Sequence, residues 1–185
     1  MKKIFLALVA LFSMVNIAMA SDDVVLTSGS LAELNAGQVK VCVVWDYSNS
    51  TLEGNKPETF LAEKGEDWVK GYPKELKNAE AVFAKQLNKK SKTVTLVDDS
   101  SAADYVMTIK MGDFHYGSTS LSFMIGFGTG DAHLSADITV TKGSTTVATI
   151  KADGVPGPGI GNETRRSNAY LDLAKWMVKL IKKAK

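Results

Sequence analysis

The sequence has a single cysteine, Cys42, which excludes an intrachain disulfide in any redox compartment. It also lacks an excess of one charge once its first segment is set aside. The 185 residues carry 22 Lys and Arg against 20 Asp and Glu. The surplus of two is Lys2 and Lys3, which precede the apolar run Ile4–Phe12 and the small residues Ala18-Met19-Ala20. These are the n-region, h-region and A-x-A site of a secretory signal peptide over residues 1–20. The remainder, 21–185, is expected to be one formally neutral α/β domain, long enough to bury roughly two-thirds of its unfolded surface. Neutrality without a block of like charge gives no electrostatic reason to expect nucleic acid or an anionic membrane as partner. No later apolar run approaches the ~20 residues of a membrane span. The longest, Leu121–Phe127, is far too short, and no cysteine follows the cleavage site to carry a lipid. Also missing are G-x-S-x-G, S-x-x-K, a Cys/His pairing and H-E-x-x-H, so hydrolase and zincin templates find no support.

The residues that are present order themselves into strands and helices. Val39, Val41, Val43 and Trp45 share one face and Cys42 and Val44 the other, which predicts a strand covered on both sides. Tyr47–Pro57 reads as a loop. Helical spacing follows in two pieces divided at Gly71-Tyr72-Pro73, the second with Leu76, Ala79, Phe83 and Leu87 on one stripe. Thr93–Val97 reads as a short strand and Tyr105–Met111 as another, after which the apolar parity shifts at Gly112 and predicts a bulge. Ala132 to Val140 alternates apolar and polar, turns at Lys142-Gly143-Ser144 and continues through Thr145–Ala152. The glycine- and proline-rich run Gly154–Gly161 is expected to be irregular, ahead of a last helix capped near Ser167 or Asn168. Its stripe is Tyr170, Leu173, Ala174, Met177, Leu180 and Ile181, with lysines gathered at its C-terminal end. The expected architecture is an α/β (α+β) two-layer sandwich: a mixed, mostly antiparallel sheet with two main helices on one face.

Three groups of residues could carry chemistry. Asp113-Phe114-His115 and Asp131-Ala132-His133 contain the only two histidines, and on a strand each step sets a carboxylate and an imidazole on one face. A hairpin pairing His115 with His133 keeps the apolar faces in register and would gather a divalent-metal site, or a histidine base oriented by its Asp. The connection 117–130 holds Leu121, Phe123, Met124, Ile125 and Phe127 in a frame of glycines and hydroxyls, a composition suited to docking a protein or an apolar ligand. Arg165 and Arg166 stand between the second glycine-rich run and the last helix, where guanidinium groups and backbone amides could receive an anion.

A valine-rich strand ending in Trp45-Asp46-Tyr47-Ser48, the stretch Gly126-Phe127-Gly128-Thr129-Gly130, the Lys142-Gly143-Ser144 turn and a closing helix after a glycine-rich loop together resemble an uncharacterised exported bacterial family. Its domains are similar to the periplasmic α/β domains of envelope-assembly factors of the curli secretion lipoprotein and penicillin-binding-protein activator type. The resemblance covers most of Val39–Lys183, without the lipidated cysteine usual in those relatives. It implies a non-catalytic envelope binding or assembly module, periplasmic or secreted, without a cofactor. Its partner would be an envelope protein or an apolar ligand met through the loop 117–130. The alternative is a metal-dependent enzyme or metal-binding protein using Asp113, His115, Asp131 and His133.

Overall fold

The structure, a computed structural model, describes residues 23–118 and 130–185. The expected signal peptide and the loop residues Leu121, Phe123, Met124, Ile125 and Phe127 lie outside the described residues. Seven strands form one mixed sheet: β1 (Val24–Gly29), β2 (Val39–Asp46), β3 (Thr51–Leu52), β4 (Val94–Val97), β5 (Tyr105–His115), β6 (Ala132–Lys142) and β7 (Thr145–Gly157). Their order is β1-β7-β6-β5-β2-β4, with β3 pairing β5 beyond the end of β2. β2 runs parallel to β4 and β5, while β5, β6, β7 and β1 alternate. Among the described residues four α-helices accompany the sheet: α1 (Ala32–Ala36), α2 (Pro57–Lys64), α3 (Glu66–Lys90) and α4 (Asn162–Lys183).

The two long helices, α3 and α4, cover one face of this sheet, the expected sandwich. Phe83 and Leu87 of α3 and Tyr170, Leu173 and Met177 of α4 are fully buried in the same core as Met107, Ile109, Ile138 and Ile150 of the sheet. The opposite face carries Lys110, Asp137 and Lys151 to solvent. β5 fits this one-sided burial only because of its bulge. Met111 pairs with Ala136 but Phe114 with Leu134, so β5 spends one extra residue, and Phe114 returns to the core side. Gly112 allows it, since a Cβ there would lie 2.5 Å from Ser135 Oγ.

Four expectations are corrected. β2 is covered on one face only: Val44 is 40 % exposed, and Cys42 is buried because its thiol sits against the Asp98 carbonyl of the neighbouring turn. The helical break falls at Gly65, with φ 102°, and not at Gly71–Pro73. Pro73 stays inside α3 because the carbonyl it leaves without a donor is that of Val69, a residue 49 % exposed, where water can replace the lost bond. The segment after Ala152 is not irregular throughout, because β7 continues to Gly157, pairing Pro156 with His133. β1 begins at Val24 opposite Ala152, and Asp153 N still donates to Asp23 O, so Pro156 lies past the described pairing of β7 with β1. Finally, α4 begins at Asn162 after Gly161, because Arg165 and Arg166 find partners inside the protein that reward an earlier start.

Candidate functional site

β5 ends and β6 begins at the two stems of the 117–130 connection, and the residues around the first stem form a densely bonded polar cluster. Tyr116 is its centre. Its amide donates to Glu53 Oε1 at 2.7 Å, its carbonyl accepts from Arg165 Nη1 at 2.7 Å, and its hydroxyl donates to Glu75 Oε1 at 3.0 Å while accepting from Arg166 Nη2 at 2.7 Å. The ring stacks on Phe60 and meets Trp68 and Phe114 edge-on. The next residue, Gly117, turns the chain with φ 70°; any Cβ there would come within 2.4 Å of the Gly130 and Asp131 carbonyls. The stem is closed by Ser118 N donating to Gly130 O at 3.0 Å.

Both arginines support this stem from beneath. They are 2 % and 1 % exposed, so neither is a surface arginine and neither stands ahead of the helix. Arg165 also donates from Nε to Gly159 O at 2.9 Å, tying the glycine-rich run to Tyr116, while its Nη2 is buried without a partner. Arg166 donates to Glu75 at 2.5 Å and lies 3.8 Å over the Phe114 ring. An incoming phosphate would have to displace Glu75 and Tyr116 from Arg166. Deeper in the same layer Tyr47 links Glu80 and Tyr170 at 2.8 and 3.1 Å. Burial pushes the Tyr170 phenol up to about 12, so it serves as a neutral link.

The pairing of His115 with His133 is observed. The four Asp-x-His residues nevertheless do not converge. His115 is held between Glu53 Oε2 at Nδ1 (2.7 Å) and Asp113 Oδ2 at Nε2 (2.6 Å), while the His133 ring turns to the Gly154 carbonyl at 3.2 Å. Asp113 also accepts from the Thr51 hydroxyl and the Gly54 amide. Among the described residues no group of three or more His, Cys, Asp or Glu is arranged to hold a metal ion.

Sequence reasoning missed Glu53. It is the single non-glycine at positive φ among the described residues, fixed at 51° because its carboxylate bridges His115 and the Tyr116 amide. Nothing in Thr51-Leu52-Glu53-Gly54 announces a partner 62 positions away, since only the β3–β5 pairing brings them together.

With a carboxylate on each ring nitrogen, His115 is favoured as the imidazolium. The hydrogen bond to Glu53 raises its pKa, and the charges of Asp113 and Glu53 outweigh partial burial. Burial alone would raise the Asp113 carboxyl, but bonds from Thr51 and Gly54 and the nearby His115 hold it below the usual range. His115 therefore supports the fold fully below about pH 6.5 and loses that support as pH rises through its raised value. Asp113 supports it above about pH 3.9 and loses that support as pH falls. The clasp is complete between those limits. With a side chain 51 % exposed, His115 contributes no more than ~1 kcal/mol. An NMR titration is expected to place His115 above 6.5 and Glu53→Gln to lower that value; a midpoint at or below 6.5, unmoved by the substitution, would show that the clasp does not form.

No family model matches the chain, and no curated protein matches it. The resemblance to curli secretion lipoproteins and penicillin-binding-protein activators therefore has no family model behind it. Among solved structures the chain is similar to the PelC dodecamer from Paraburkholderia phytofirmans, at 16% identity over 81% of this chain and 94% of that one, with a TM-score of 0.43. A singly substituted PelC dodecamer from the same organism gives 17% identity over 86% and 95%, with a TM-score of 0.44.

Proposed function

We propose that this chain is an exported, non-catalytic binding or assembly module of the cell envelope, acting through the apolar residues of the 117–130 connection. The observation that carries the reading is the stem. Every polar atom of Tyr116, amide, carbonyl and hydroxyl, is bonded to a residue from another element, and two buried arginines are committed to holding it. A connection of this length launched from an over-determined base has the design of a binding loop on a rigid scaffold. Its composition suits an apolar contact with an envelope protein.

The test is the paired substitution Phe123→Ser with Phe127→Ser. The melting temperature is expected to stay within a few degrees of the parent. Cross-linking in the native envelope is expected to yield a specific adduct with the parent and none with the variant. An adduct of equal yield from the double variant would remove the loop from the interaction.

A further inference from the structure

The formal neutrality of residues 21–185 conceals a strong separation of charge, and the helix directions create it. β7 runs parallel to β5 and therefore to β2, because β5 to β6 and β6 to β7 each reverse the chain. Helices α3 and α4 return across the sheet from β2 and β7 and so run parallel to each other. Glu75 meets Arg166 near their starts, while Gln86 and Lys90 share a groove with Val178 and Lys182 near their ends. Both C-termini thus reach the same end of the molecule. They bring four lysines from residues 85–92 and five from 175–185, with no acidic residue in either stretch.

The lysines far exceed what the helices require. Two C-terminal dipole ends amount to roughly one negative charge in total, set against nine positive ones. Neighbouring acids are already engaged: Asp172 with Lys175, and Glu33 of α1 with Lys142 and Tyr105. The groove between the helices holds about 430 Å³, with Val178 at its floor and lysines from both helices around it. Beside it Trp176 is partly exposed, with Lys179 Nζ 3.7 Å from its ring centroid.

We propose that this end of the molecule docks on an anionic phospholipid surface. Its cations are all lysine, point charges without the planar fork that reads individual phosphates, bases or carboxylates, which suits a diffuse plane of negative charge. The apolar floor and an amphipathic tryptophan suit the headgroup layer and would be wasted on a hydrated polyanion. α4 has 22 residues and is about 33 Å long, so the Tyr116 stem at its start would project away from the bilayer. The docking face is built from residues 85–92 and 175–185 alone, and its test changes none of residues 117–130.

The chain purified after export and processing is mixed with vesicles of phosphatidylcholine, with or without about one-third phosphatidylglycerol, and sedimented. Binding is expected only with phosphatidylglycerol, and to disappear near 1 M salt, where the screening length falls to ~3 Å. Lys179→Gln, Lys182→Gln and Lys183→Gln together are expected to weaken it at least ~50-fold, whereas Lys110→Gln with Lys151→Gln on the open sheet face leaves it unchanged. Equal binding to pure phosphatidylcholine, insensitivity to the three helix substitutions, or tighter binding to duplex DNA or polyglutamate than to the anionic vesicles would overturn the proposal.

Discussion

Arg166→Met is expected to lower the stability of the protein by about 3–5 kcal/mol, measured by urea unfolding. The side chain is 1 % exposed, donates to Glu75 and Tyr116, and packs its guanidinium over Phe114, Tyr72 and Tyr116. Methionine would retain most of the volume and apolar contact, so the loss isolates the charge. Glu75, only 13 % exposed in its side chain, would remain with the Tyr116 hydroxyl as its donor and no cation. If the cost lies in that abandoned carboxylate, adding Glu75→Met should restore at least half of it, since a buried ion pair replaced whole by apolar groups is often tolerated. A single-variant loss below about 1 kcal/mol would mean that the pair does not anchor α4.

Gly157→Ala is expected to cost about 3 kcal/mol or more, for a different reason. The end of β7 and the first turns of α4 touch there: an added Cβ would lie 2.2 Å from the Arg165 carbonyl and 2.9 Å from Ala169 Cβ. Those are backbone and core atoms without a flexible end to swing aside, so α4 would have to lift and carry both arginines with it. Gly143→Ala provides the comparison. Gly143 turns the β6–β7 hairpin at φ 57° with open space around it, so the cost there is the left-handed backbone alone, about 1–2 kcal/mol. Thermal melts that rank the two substitutions in the reverse order would contradict the close contact between strand and helix.

The legible parts of this fold were those where one element's own pattern decides the outcome. The alternation of Ala132–Val140 is obeyed residue by residue, the parity slip at Gly112 is a bulge, and the register of His115 with His133 follows from keeping two apolar faces on one side. The helical break is not legible locally, because Pro73 is a strong local signal whose cost depends on whether the freed carbonyl reaches water. The start of α4 is likewise hidden, because Asn162–Arg166 reads as polar loop until Tyr116 and Glu75 are set beside it. Glu53 carried no signal at all, since its role rests on a two-residue strand pairing with β5.

Charge shows the division most plainly. By itself the sequence determined composition and period: a balanced set of ionisable groups after residue 20, an alternating strand over Ala132–Val140, and helices with a single apolar stripe. These are properties of a segment read against its own geometry. Only the tertiary structure decided that two lysine-rich helix ends lie together, that two arginines turn inward, and that Tyr116 is held from four directions. Each of those depends on strand order and direction, which join residues tens of positions apart, and long-range pairing leaves no mark on the local periodicity of either partner.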